Sequence, residues 1–193
     1  MIVPMKREHA ARVAEIHCAA LAGDFLPSLG KEFLTVFYQG VFDLGVGFGF
    51  VVMEDNQLVG FVLGSADTSS LFKQIMMSKT LALGWRVFLA LCRHPKLIFN
   101  VLETFLYPSK ENVAEKAELV VIGFDAAYRG RGLGSELVDA LNAEFRAQGV
   151  RSYKVTVLQS NQRANNFYLK RGFRCAKEFV LYRKNWNLYT KTI

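Results

Sequence analysis

Two short segments in the last third of the chain combine residue types that can do chemistry. The first, Arg129-Gly130-Arg131-Gly132-Leu133-Gly134, lies between an apolar run and a helical pattern. Alternate glycines let a ligand come close to the backbone, and the first amides of the following helix have no intrahelical partner. Those amides, with the positive end of the helix dipole behind them, suit a pyrophosphate. No Gly-Lys-Ser/Thr follows, so this is not the nucleotide P-loop, and no βαβ unit with an acidic residue at its second strand end supports a dinucleotide fingerprint. The second segment is Asn161-Gln162-Arg163-Ala164-Asn165-Asn166-Phe167-Tyr168-Leu169-Lys170-Arg171-Gly172-Phe173. Taken alone, its Tyr on a short helix reads as core. His9, His17 and His94 do not cluster, and Cys18, Cys92 and Cys175 lack the paired spacing of a metal site. The three cysteines read as buried small apolar residues in a reducing cytoplasm.

The elements that must position these segments follow from periodicity. Ala10, Val13, Ala14, Ile16 and Leu21 predict an amphipathic helix from Lys6 to Leu21, ended by Gly23. After Pro27, Ser28 is the expected cap of a second helix with the apolar face Phe33, Leu34, Phe37, Val41 and Phe42. Phe48 to Met53 and Leu58 to Leu63, separated by Glu54-Asp55-Asn56-Gln57, read as an antiparallel hairpin, with Gly60 and Gly64 as candidate bulges. Residues 66–116 break this rhythm: they are helix-like, rich in Leu and Phe, and read as an insertion. A strand Glu118–Phe124 then meets the glycine turn, and Leu133, Leu137, Val138, Leu141 and Phe145 mark a helix that ends at Gly149. A strand Tyr153–Leu158, a short helix Gln162–Lys170 and closing strands from Arg174 complete a mixed α/β order. No linker or repeat divides it, so one domain over 1–193 is expected.

Charge is uneven along the chain. Residues 1–124 hold 11 Lys/Arg against 12 Asp/Glu, whereas residues 125–193 hold 13 against 5. The whole net charge of +7 therefore sits on the part that carries both segments, which suits a polyanionic partner. No helix-turn-helix, RNA-recognition or zinc signature points to nucleic acid. The N-terminus has no secretory pattern, and charges interrupt the apolar window from Leu81 to Tyr107 before ~18 apolar residues accumulate. A cytoplasmic location is the expectation.

Taken together, Arg129-x-x-Gly132-x-Gly134, Asn161-x-x-Ala164-x-x-Phe167-Tyr168 and Gly172-Phe173 resemble the GNAT family of N-acetyltransferases over about 118–183. The resemblance implies an acyl-CoA N-acyltransferase-like α/β fold: a mixed, mainly antiparallel central sheet with helices on both faces, here with 66–116 as a helical insertion. It also implies acetyl-CoA as co-substrate and a primary amine, of a small molecule or a protein, as acceptor, without a metal. Backbone groups of Ile122, Gly123 and Phe124 would pair with the pantetheine arm. The amides of Arg129, Gly130, Arg131, Gly132, Leu133 and Gly134 would hold the pyrophosphate, and the Asn161 side chain would help to hold the arm. Tyr168 matches the Tyr that protonates the departing thiolate, and Glu118 falls where one branch of the family carries its general base. A base is needed, because an amine of pKa near 10.4 is neutral in only about one molecule in 2,500 at pH 7. The rival is a catalytically silent acyl-CoA-binding or interaction module on the same fold. The insertion's apolar residues, from Leu71 to Leu106, need a cover: the domain's own sheet, a second copy of the chain, or a membrane surface.

Overall fold

In the N-terminal hairpin, Asp55 and Asn56 both take positive φ, 48° and 60°, the conformation that lets a two-residue turn match the twist of the strands it joins. This fixes the register of β2 (Phe48–Glu54) against β3 (Gln57–Ser65). The computed structural model describes residues 1–93 and 113–193. Before the hairpin come β1 (Ile2–Pro4), a 3-10 turn (Arg7–His9), α1 (Ala10–Ala20), the single turn α2 (Phe25–Ser28) and α3 (Lys31–Leu44). After it come α4 (Thr68–Ser78), α5 (Thr80–Arg93), β4 (Glu118–Phe124), a 3-10 turn (Ala126–Tyr128), α6 (Leu133–Ala147), β5 (Ser152–Leu158), α7 (Gln162–Lys170), β6 (Arg174–Leu181) and β7 (Lys184–Thr192).

The strands form one seven-stranded sheet in the order β1-β2-β3-β4-β5-β7-β6. Every neighbouring pair is antiparallel except β4 with β5. Alternation sends Val51, Phe61 and Leu63 into a core shared with α1, α3 and α4, while Val52 and Val62 join a second core with α6 and Tyr168 of α7. Helices thus cover both faces, as the resemblance implies.

Several local expectations change. β1 was not evident in three residues of sequence, but it pairs Ile2, Val3 and Pro4 with Val52, Val51 and Phe50. Ser28 ends α2, its hydroxyl bonded to the Phe25 carbonyl, instead of capping α3. The chain restarts at Gly30, whose φ of +96° suits glycine and turns the backbone into Lys31. Register shifts do lie at Gly60 and Gly64, opposite Val52/Met53 and within the β3–β4 ladder. Of the cysteines, Cys18 is half-buried, whereas Cys92 and Cys175 are exposed, because a helix flank and an outer strand carry them.

The first half of the insertion is covered by α3 and the apolar core that α3 helps to build. Leu71, Ile75 and Leu83 are fully buried in the core containing α3, and the Phe72 ring lies 5.6 Å from that of Phe37. Asp67 caps α4 by accepting from the Ser70 amide. Trp85 and Phe88, by contrast, stack on each other at 5.6 Å and remain exposed. Leu97, Ile98, Phe99, Leu102, Phe105 and Leu106 of the insertion, and His94, lie outside the described residues. Among those described, no helix is long and apolar enough to cross a membrane.

Candidate active site

β4 and β5 run parallel but pair at a single position, Glu118 with Lys154, next to a bond from the Lys154 amide to the Ala117 carbonyl at 2.9 Å. Beyond it each strand keeps its outer partner: β4 follows β3 to Phe124, and β5 follows β7 to Leu158. The facing edges therefore part into a wedge whose backbone N–H and C=O groups are not taken up by β4–β5 pairing. An extended ligand with amides of its own can satisfy them.

The glycine turn stands at the open end. Arg129 returns its guanidinium to the Phe124 carbonyl through Nε and Nη2, both at 3.3 Å, which closes the loop between strand and turn. Gly130 and Gly132 each have φ of +85°, so a side chain there would be strained. A Cβ added at Gly132 would meet nothing within 4 Å, so the space before the turn is open. Immediately after it α6 begins at Leu133, with its first amides outside the helical ladder. Arg131 sits over the Tyr128 ring at 4.7 Å, with its guanidinium 3.7 Å from the Glu54 carboxylate. What Arg131 offers a ligand is therefore mainly backbone.

The second segment folds against the first. A Cβ at Gly130 would lie 3.1 Å from Nη2 of Arg163, and one at Gly134 would lie 3.7 Å from the rings of Phe124 and Phe167. Strand end, turn and α7 thus converge, and Arg163, which sequence reasoning gave no role, adds a cation beside the turn. Asn161 caps α7, its Oδ1 accepting from the Ala164 amide at 3.1 Å. Tyr168 is buried among Phe167, Phe173 and Tyr189, and burial pushes its hydroxyl pKa up. Among the described residues none hydrogen-bonds that hydroxyl.

Glu118 does not join this convergence. It is 5 % exposed at the closed end of the wedge, with its carboxylate 3.9 Å from the buried Lys154 ammonium. Six residues along a strand separate it from Phe124, roughly 20 Å. Ile122 belongs to the α6 side of the sheet, and Gly123 lies beneath α1, where a Cβ would come within 3.0 Å of Phe61 and 3.5 Å of Ala20. Arg12 of α1 fastens this strand end by ion-pairing with Asp125 at 2.5 Å and donating to the Leu58 carbonyl.

On the α1–α2 side, the β6–β7 hairpin tip closes down. Lys184 donates to the Gly23 carbonyl and lies 3.5 Å from Asp24, and the Tyr182 ring packs 5.1 Å from Phe25. Burial raises the Asp24 pKa against the lowering effect of Lys184. Behind this region His17 is buried with Nδ1 2.8 Å from the Tyr38 hydroxyl, and burial lowers its pKa to about 4.

The mixed sheet thus parts between its two parallel strands, with a glycine turn and a helix N-terminus at the split. Residues 13–173 match the acetyltransferase (GNAT) family, and the chain belongs to it. It is 40 % identical over 75 residues to mycothiol acetyltransferase from Corynebacterium glutamicum (strain R), a match covering 39 % of this chain and 26 % of that protein. The fold is similar over the whole chain to an N-acetyltransferase from Staphylococcus aureus Mu50, with TM-score 0.65, 16 % identity and 97 % of that chain covered. It is also similar to the ribosomal-protein-S18-alanine N-acetyltransferase from Escherichia coli, with TM-score 0.64, 16 % identity and 93 % covered, again over the whole of this chain. At such identities the likeness concerns the fold.

Proposed function

We propose that this protein transfers the acetyl group of acetyl-CoA to a primary amine by direct attack. The observation that carries the proposal is the wedge between β4 and β5 with the Gly130–Gly134 turn across its open end. Acetyl-CoA supplies the activated thioester. Its pyrophosphate would rest on the turn amides of residues 129–134, beside Arg163, and its pantetheine amides would pair with the backbone of Ile122, Gly123 and Phe124. Because Oδ1 of Asn161 accepts from the Ala164 amide, the NH2 of Asn161 is the part of that side chain assigned to the arm.

Tyr168 is the proton donor to the departing sulfur. A raised pKa keeps its hydroxyl fully protonated at neutral pH, and an apolar surrounding strengthens the hydrogen bond it gives to a developing thiolate. Proton removal from the incoming amine is assigned to Glu118. Its position at the closed end, near Lys154, makes ordered water the carrier between carboxylate and amine. Such a base contributes on the order of 10²–10⁴-fold.

The acceptor class is an amine of a small molecule or a protein. The names of the similar proteins span both, and the mycothiol acetyltransferase match covers too little of that protein to choose between them. Thiol release from acetyl-CoA with an amino sugar, an amino acid, a polyamine and a peptide N-terminus tests the reading. One or more of these should raise release above the acceptor-free rate. Acetyl-CoA binding with no release from any amine would favour the silent module.

A further inference from the structure

Asn165 is 5 % exposed, and every hydrogen-bonding group of its side-chain amide is engaged. The NH2 reaches three carbonyls, of Leu158 at 2.9 Å, Gln159 at 3.3 Å and Asn161 at 2.8 Å. The oxygen accepts from the Asn187 amide at 2.9 Å and from the Tyr189 hydroxyl at 2.9 Å. Two donors are shared among three acceptors, and both lone pairs are filled, so the amide's capacity is fully used. Asn187 in turn accepts from the Gln159 side chain at 3.0 Å. One buried amide thus ties together the end of β5, the first turn of α7 and the middle of β7.

The consequence falls on Tyr168, one helical turn further along α7. Asn165 and Tyr168 are the two buried residues of that helix and share its inward face. The Tyr189 ring stacks beside Tyr168 at 6.4 Å while its hydroxyl is held by Asn165. Two constraints from one amide, through the helix and through the neighbouring ring, therefore fix Tyr168. An apolar side chain could fill the same volume, but the carbonyls of Leu158, Gln159 and Asn161 would keep only the local donors Asn161 N–H, the Gln162 side chain and Asn165 N–H. The ties from α7 to β7 would be lost, and the Tyr189 hydroxyl would lose its acceptor.

We propose that Asn165 is a positioning residue for the transfer: it holds the Tyr168 hydroxyl on the sulfur that leaves. The proposal rests on the donor role of Tyr168 given above. In that step the amine nitrogen has bonded to the acetyl carbon, and as the carbonyl re-forms the sulfur–acyl bond breaks with its electron pair going to sulfur. The Tyr168 O–H proton moves onto the sulfur, and water restores the proton to the phenolate.

The test needs no acceptor. Coenzyme A itself, bound at saturation, presents the thiol, and its pKa can be titrated by the ultraviolet absorbance of the thiolate against the protein alone. A hydroxyl donating to the thiolate lowers that pKa, so Tyr168→Phe should raise it by about one to two pH units. Asn165→Leu should raise it in the native background and leave it unmoved in the Tyr168→Phe background, because its effect passes through that hydroxyl. Tyr189→Phe keeps the stacked ring and removes one bond to Asn165. It should shift the pKa in the same direction by less, again only when Tyr168 is present, and it serves if Asn165→Leu does not fold. Equal shifts in both backgrounds, or none from Tyr189→Phe in a folded protein, would overturn the positioning role alone. An unmoved pKa in Tyr168→Phe would overturn the donor role and this proposal together.

Discussion

Around α1, α3 and α4 the interior is built from Ile16, Leu34, Val41, Phe61, Leu71 and Ile75, all fully buried, with the His17–Tyr38 pair as a polar interruption. Around β5 and α7 it is threaded with amides and phenols: Asn165 with Asn187 and Tyr189, and Asn142 with Tyr153. The apolar region shapes itself by volume and tolerates change wherever volume is conserved. The polar region fixes individual atoms, since each buried partner lost leaves another unsatisfied.

The sharpest way to break this contrast is a pair of substitutions. Phe61→Ala, in the apolar region, should cost about 3–5 kcal/mol of stability, read from denaturant unfolding. Tyr168→Phe, in the polar region, should leave stability within about 1 kcal/mol, because none of the described residues bonds the lost hydroxyl, while lowering turnover roughly 10²–10⁴-fold. Similar losses of stability in both variants would erase the distinction.

A smaller effect concerns His17. Its folded pKa of about 4 lies below the ordinary value of 6.5, so the neutral form is the one that folding favours. The unfolded chain takes up a proton below pH 6.5 and the folded one does not until about pH 4. Stability should therefore fall by roughly 3 kcal/mol as pH drops through that window, and level off below it as far as this group is concerned. In His17→Leu the fall between pH 6.5 and 4 should shrink by that amount. An unchanged pH profile of unfolding would show that the buried imidazole is not what titrates there.

Much of this architecture was legible in sequence because periodicity and glycine placement are local. Helix and strand patterns located α1, α3, the hairpin, β4, α6, β5 and α7, and the glycine turn stands where its spacing suggested. What escaped depends on partners distant along the chain. The partners of Asn165 on β7 lie 22 and 24 residues away, and Lys154 meets Glu118 only because two strands pair there. Arg163 reaches Gly130 through the docking of α7, which no spacing reveals. Ser28 misled because its hydroxyl chose a carbonyl three residues back, leaving the start of α3 to a glycine.

The proposed donor site depends on the turn at residues 129–134 holding the pyrophosphate of acetyl-CoA. Calorimetry can compare acetyl-CoA with acetyl-pantetheine, which keeps the arm and thioester but lacks the phosphates and the adenosine, on the native protein and on Gly132→Val, the variant separating the turn's share from the adenosine's. A Cβ at Gly132 would meet no protein atom within 4 Å and so would press on the ligand, while its φ of +85° strains the backbone. The comparison is therefore between the two ligands within the folded variant, where only loss of the difference between them counts. Acetyl-CoA should bind the native protein about 10- to 100-fold more tightly than acetyl-pantetheine, as one or two charge-assisted contacts would give. In folded Gly132→Val that advantage should largely vanish. Equal affinities of the native protein for the two ligands would contradict that role of the turn.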